Sequence, residues 1–173
     1  ADSGSRFDGD FQALENWSMD EDFFDQLKEW GFDASEFKAT EFDVVDLIHP
    51  DDKITQATTS KVAYRIVERG TSEHTIDQGF KRQALAAGAK IHYKSRVEEE
   101  DCTIIACGPK GTSAVAYGEI FHTDHPNHIG FQLNDHLAPG SYSYLIIIDG
   151  VGLICTCLWR KQKKSERFLN ETI

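Results

Sequence analysis

The spacing of apolar residues along the chain changes at Gly108. Before this residue, two segments carry apolar side chains three or four positions apart, which predicts amphipathic helices. After it, short apolar runs alternate with turn residues until the last few positions, which is typical of antiparallel strands. The pattern therefore predicts an α+β fold in which an α/β remnant is followed by an antiparallel sheet.

Two helices are predicted in the first half. The first begins with Ser18 as its N-cap and Glu21 as the capping-box partner, and Gly31 ends it. Its apolar stripe is interpreted as core packing. The second helix runs from Thr75 to Gly88, with Gly88 at its C-terminus.

Strands are predicted on both sides of the second helix. Residues 42–48 and 54–59 form a hairpin around a turn at 49–52, and a further strand covers 61–67. After Gly108 the predicted elements are four strands and the start of a helix, at residues 114–123, 130–133, 141–148, 152–159 and 165–173.

Residues 75–108 have the order of the later part of a nucleotide-binding α/β unit. A strand at 89–94 follows the helix, and a continuous apolar run at 102–107 predicts a buried parallel strand. The run ends in Ala106, Cys107 and Gly108, and small residues at a strand end let the backbone approach a cofactor closely. The glycine-rich phosphate loop that opens such a unit is absent from the sequence.

A length of 173 residues suits about one domain with a substantial core. Four parts are predicted within it: an N-terminal irregular segment and helix (1–41), strands of a substrate-type sheet (42–67), later nucleotide-binding elements (68–112), and an antiparallel sheet with the start of a C-terminal helix (113–173).

The charge balance excludes some classes of partner. Eighteen basic and 29 acidic residues give a net charge of -11, which argues against nucleic acids and anionic lipid surfaces as partners. The basic cluster at 160–164 is interpreted as a solvated segment before the last helix.

Neither a signal peptide nor a transmembrane segment is predicted, and the longest apolar run, at 144–148, has the length of a strand. The four cysteines form no CxxC pair and are interpreted as small buried apolar residues, which fits a cytoplasmic location. Cys155 and Cys157 are expected to face the same side of a strand, with poor geometry for a disulfide.

Histidines at three-residue spacing raise the question of a metal site. His122, His125 and His128 would cluster on a helix, but Pro126 places them at a strand end and turn, so a polar turn is favoured and no metal is predicted. Hydrolase chemistry is left as a minor alternative, because no nucleophile-elbow motif is present.

Several segments in this order resemble the geranylgeranyl reductase family of FAD-dependent oxidoreductases, which has the p-hydroxybenzoate hydroxylase architecture. The similar segments are residues 10–17, residues 64–70 followed by 75–80, the IIACGP sequence at 104–109, and the PGSYSY sequence at 139–144. The resemblance covers nearly the whole chain. It implies part of an FAD-binding domain joined to an antiparallel substrate-domain sheet.

The resemblance also implies roles for particular residues. Ala106, Cys107 and Gly108 would offer backbone groups to FAD, and Arg69 would lie near the flavin or its phosphates. Tyr142 and Tyr144 would line an apolar pocket for an isoprenoid or other lipid-like substrate. The alternatives are a surface ion pair for Arg69 and core packing on one strand face for the two tyrosines.

The departures from the family pattern weaken the expectation of activity. The phosphate loop, its acidic ribose-binding residue and the late Gly-Asp segment are absent, and Tyr144 stands where tryptophan is usual. The expectation is therefore an internal fragment of an FAD-dependent reductase that binds FAD weakly or not at all by itself. The rival hypothesis is a non-catalytic binding module, and a homodimer is possible under either.

Overall fold

The computed structural model describes residues 2–108 and 111–173. This part of the chain contains nine strands and three α-helices. In chain order they are β1 (Phe11–Glu15), α1 (Phe23–Glu29), β2 (Ala39–Phe42), β3 (Val44–Ile48), β4 (Ile54–Thr58), β5 (Tyr64–Glu68), α2 (Ile76–Ala86), β6 (Val115–His122), β7 (His128–Gln132), β8 (Ser143–Ile148), β9 (Val151–Leu158) and α3 (Ser165–Thr172).

The strands form two sheets. The smaller sheet has the order β1-β5-β2 and is antiparallel throughout. The larger sheet has the order β4-β3-β7-β8-β9-β6, and its pairs are antiparallel except for the parallel pair of β3 and β7. The predicted α+β fold is therefore confirmed.

The two sheets pack face to face around one apolar core. Val45, Ile66, Ile129 and Ile146 are almost fully buried in it, and they come from strands of both sheets. Side chains alternate between the two faces of a strand, so every second residue of β5, β7 and β8 points into this layer. The inter-sheet layer is the setting of the candidate site described below.

The opposite face of the smaller sheet is covered by α1 and α2. Val67 on β5, Leu27 on α1 and the loop residue Phe37 form the centre of this second core. β5 thus contributes Ile66 to one core and Val67 to the other. At the far side of the larger sheet, α3 buries Phe168 and Leu169.

Most locally encoded elements match their prediction. The hairpin of β3 and β4 is confirmed, as are β5, the four later strands and α3. In α2 the Thr75 hydroxyl accepts a hydrogen bond from the amide of Gln78, and Gly88 follows the helix with a φ of 90°. Glycine is favoured at this position because the backbone adopts a left-handed conformation there.

The predicted start of the first helix is wrong. The helix begins after Asp22, whose carboxylate accepts a hydrogen bond from the amide of Phe24 at 2.8 Å. The side chain of Asn16 accepts a second one from the amide of Phe23 at 2.7 Å. These two side chains satisfy the first free amides of the helix, so Ser18 and Glu21 precede it.

The predicted strands at 89–94 and 102–107 are also wrong. Both segments lie outside any strand, and the exposed fraction reaches 83% at Ile104. Cys107 is exposed as well, which corrects its interpretation as a buried apolar residue. A strand needs a hydrogen-bonded neighbour, and the strands of the described chain pair with one another in two sheets that do not include this run.

Two strands are not predicted from the sequence. β2 shares only Phe42 with the predicted strand at 42–48. Residues 11–15 are predicted as irregular, yet they form β1 and pair with β5 from Phe11 opposite Glu68 to Glu15 opposite Tyr64. Its sequence FQALE has no regular alternation, so the strand depends on its partner.

Candidate functional site

A cavity of about 180 Å³ lies between the two sheets. We call it the inter-sheet cavity. Its lining comes from β1, β5, β7, β8 and the residue before β8, namely Phe11, Gln12, Ala13, Glu15, Tyr64, Phe131, Tyr142, Tyr144 and Ile146. Both tyrosines singled out from the sequence, Tyr142 and Tyr144, are among them.

Strand register explains how these side chains meet. Glu15 lies directly opposite Tyr64 in the smaller sheet, and Phe131 lies directly opposite Tyr144 in the larger one. Residues directly opposite each other share a face of the sheet. Tyr142 and Tyr144 are two positions apart and likewise share a face, with ring centroids 6.4 Å apart, as the sequence predicted.

The aromatic rings form a connected set around Phe131. Its centroid lies 5.5 Å from that of Tyr64, 5.5 Å from that of Tyr142 and 6.5 Å from that of Tyr144. Trp17 extends the set, 5.7 Å from Tyr64. These tilted and edge-on contacts are the preferred arrangements of aromatic pairs and hold the rings in place.

The phenol groups of the cavity stay neutral across the physiological range. Burial raises the pKa of Tyr64 to about 12, and the charge of Glu15 adds to this effect. Burial also raises the pKa of Tyr144 and Tyr142, and Cys155 and Cys157 contribute in both cases. The walls therefore offer apolar ring faces with neutral hydroxyl groups.

Glu15 is the one residue with a formal charge among the described residues that line the cavity. Its carboxylate accepts a hydrogen bond from the amide of Ser18 at 3.2 Å. No Lys, Arg or His of the described chain forms an ion pair with it. Among the described lining residues, the cavity thus has a single negative group, which is solvent-exposed and has no cationic partner in the described chain.

Two cysteines and an aspartate lie beside Tyr144. Cys155 lies directly opposite Tyr144 in the sheet, and hydrogen bonding with Cys157 lowers the pKa of Cys155. Burial raises the pKa of Asp10, whose charge acts on both Tyr144 and Cys155. No sequence pattern marks Asp10 as a site residue, because its proximity to Tyr144 depends on the docking of β1.

Arg69, the predicted flavin or phosphate contact, is paired within the chain. Its Nε and Nη2 donate to the two carboxylate oxygens of Asp77 at 2.8 and 2.9 Å, and its guanidinium lies 4.7 Å from the ring centre of Phe7. The hydrogen bond with Asp77 raises the pKa of Arg69. The guanidinium N–H groups that would bind a phosphate therefore donate to the carboxylate of Asp77.

The predicted flavin contacts are not brought together. Ala106, Cys107 and Gly108 are exposed outside any strand, and no hydrogen bond or ion pair between described residues joins them to Arg69. Pro109, the last residue of the similar segment, lies outside the described residues. The residues assigned to FAD from the sequence do not fit this cofactor within the described chain.

His125, in the loop before β7, and His128, the first residue of β7, form a pair. The rings of His125 and His128 are 5.7 Å apart, and His128 lies 3.9 Å from a carboxylate oxygen of Asp46. Burial lowers the pKa of His128. Within residues 2–108 and 111–173, no group of three or more His, Cys, Asp or Glu side chains could hold a metal ion.

Comparisons with protein-family models, with curated proteins and with solved structures find no match to this chain. Across the described residues, no helix is both long enough and apolar enough to cross a bilayer.

Proposed function

We propose that the chain is part of a cytoplasmic FAD-dependent oxidoreductase resembling geranylgeranyl reductases, and that it contributes the substrate side. The observation that carries the proposal is the inter-sheet cavity, because Tyr142 and Tyr144 line it together. The resemblance to the reductase family implies that these two residues line the pocket for an isoprenoid or lipid-like substrate.

The size of the cavity limits how much of a substrate it can hold. A volume of about 180 Å³ is below the roughly 300–1,000 Å³ of pockets that bury a drug-sized ligand. It suits the end of a lipid-like chain, with the remainder of the molecule outside. Phe11, Phe131 and Ile146 supply apolar surface for such an end.

The flavin is not assigned to residues of this chain. Arg69 is occupied by Asp77, and residues 106–108 lie apart from any strand. The proposal therefore gives this chain the binding and orientation of the substrate and no step at the flavin.

A non-catalytic binding module is the second candidate. The observation that favours it is that the cavity forms from the two packed sheets alone. The sequence encoded next to this chain separates the candidates: a Gly-x-Gly-x-x-Gly phosphate loop there would support part of an enzyme, and its absence would support the module.

Ligand binding is tested by calorimetric titration with geraniol, a short isoprenoid alcohol. Ala13→Leu places a larger side chain in the cavity lining and should abolish binding. Ala116→Leu, at an exposed position of β6, is the matched control and should bind as the wild type does. Equal binding by Ala13→Leu, with its fold intact by circular dichroism, would contradict the substrate assignment.

A further inference from the structure

We propose that the inter-sheet cavity binds an organic cation, with an alkylammonium group seated among the aromatic rings and paired with Glu15. The inference uses the same cavity as the proposed function, and it requires neither a flavin nor a reaction. It names a ligand chemistry that the resemblance does not imply.

The first argument is the arrangement of the rings. Phe131 has three tyrosine rings with centroids between 5.5 and 6.5 Å from its own, all from residues that line the cavity. Each aromatic ring carries negative electrostatic potential over its face and attracts a cation within about 6 Å of its centre. Because all four residues also line the cavity, a cation inside it would lie against several rings, which is the chemistry that recognises quaternary ammonium groups.

The second argument is the charge of the lining. Glu15 carries the only formal charge among the described lining residues, and none of them is Lys, Arg or His. Its carboxylate forms no ion pair with a basic residue of the described chain. A negative group beside an aromatic cavity disfavours anionic ligands and leaves a position for a cation.

The third argument is selectivity by size. A cavity of about 180 Å³ accommodates a compact head group and excludes a large ring system. The net charge of -11 also raises the local concentration of cationic ligands around the protein. A compact ammonium head group with an apolar body would contact the aromatic rings, pair with the Glu15 carboxylate and fit the cavity volume.

The test compares two ligands of nearly equal shape. Choline carries a trimethylammonium group, and 3,3-dimethylbutan-1-ol carries a neutral tert-butyl group in its place. Binding is followed by the NMR shifts of the Tyr144 and Phe131 rings. We expect choline to bind about tenfold or more tightly than its neutral counterpart.

The variant Glu15→Gln keeps the size of the side chain and removes its charge. Because Glu15 is solvent-exposed, the loss should weaken choline by about threefold and leave the neutral ligand unchanged. Glu119→Gln is the matched control, because Glu119 is an exposed strand residue outside the cavity, and it should change neither ligand.

The outcomes separate this inference from the proposed function. Equal affinity for both ligands, or no effect of Glu15→Gln, would overturn the cation inference and leave geraniol binding as a separate result. Shifts confined to residues outside the cavity would also overturn it. Failure of choline, the neutral ligand and geraniol alike would remove both assignments.

Discussion

At the scale of single residues, Arg65 is a buried charge paired with two carboxylates. It is 9% exposed, and it forms ion pairs with Asp22 at 2.7 Å and with Glu41. Its guanidinium also lies 4.2 Å from the ring centre of Phe24. A buried charge is tolerated only when it is paired in this way, so the group joins β2, β5 and the start of α1.

Replacing this arginine should therefore destabilise the protein strongly. We expect Arg65→Met to lower the free energy of unfolding by about 2–4 kcal/mol, because Asp22 and Glu41 lose their partner. Arg167→Met is the matched control: Arg167 pairs with Glu171 on the surface of α3, and its loss should change stability by less than about 1 kcal/mol. Urea denaturation measures both, and equal effects would show that the Arg65 pairs contribute no more than a surface pair.

Asp77 leads to a prediction about pH. Burial opposes its ionisation, but hydrogen bonds from Arg69 and the amide of Gly70 prevail, so its pKa lies below the ordinary value of 3.8. The unfolded chain then binds a proton at higher pH than the folded chain does. The stability linked to Asp77 is present above about pH 4 and is lost as the pH falls through the folded pKa.

We expect Asp77→Asn to be less stable than the wild type at neutral pH and to lose less stability on acidification. The measurement is urea denaturation at neutral pH and at about pH 3. Asp25→Asn, at a first-turn position of α1, serves as the control. A variant whose pH profile parallels that of the wild type would rule out this assignment.

At the scale of elements, sequence patterns predicted what short stretches determine by themselves. α2 has its cap at Thr75 and its terminating glycine, and the β3–β4 hairpin has its turn residues. The element at 11–15 could not be found this way, because β1 exists through its pairing with β5. The opposite error occurs at 102–107, where a predicted strand does not form. The composition of this run favours a strand, but no strand of the described chain pairs with it.

Gly79 in α2 gives a prediction about packing between elements. A glycine-to-alanine change inside a helix ordinarily stabilises it by about 1 kcal/mol. Here an added Cβ would lie 2.9 Å from the carbonyl oxygen of Glu36 and 2.9 Å from the ring of Phe37. We expect Gly79→Ala to destabilise the protein by about 1–3 kcal/mol, measured by urea denaturation.

The control for this variant is Ala86→Gly at an exposed position of the same helix. It should lower stability by less than about 1 kcal/mol, because Ala86 is the last residue of the helix and the cost of glycine is largest in a helix interior. A stabilising effect of Gly79→Ala would mean that the loop at Glu36 moves aside and that the close packing is not required.

Hydrogen exchange tests the segment at 103–108 as an element. Within the described chain, none of its amides donates a backbone hydrogen bond. We expect these amides to exchange far faster than those of β8 and β9, which pair with each other along their length. Protection equal to that of β8, measured by mass spectrometry after exchange, would indicate that the run is paired in solution.

At the scale of the whole molecule, the cavity shows why the site was only partly predictable. Tyr142 and Tyr144 were identified through resemblance, and their shared face follows from a two-residue spacing. Phe11, Tyr64 and Phe131 join them from three other strands. Which strands meet is decided by the order of the two sheets, including the parallel pair of β3 and β7, and no local pattern encodes that order.

The shared position of β5 leads to a prediction about cooperativity. One face of this strand belongs to the core against the larger sheet, and the other belongs to the core against α1 and α2. Ile146→Ala in the first core and Leu27→Ala in the second should each lower the free energy of unfolding by about 2–5 kcal/mol. Each should also lower the urea midpoint of the whole molecule, because neither layer keeps its apolar face covered once β5 unfolds.

Methyl resonances of Val67 and Leu169 report the two sides of the protein separately. If Leu27→Ala lowers the urea midpoint reported by Val67 and leaves the midpoint reported by Leu169 unchanged, the two layers unfold independently. That result would contradict the prediction of a single cooperative transition.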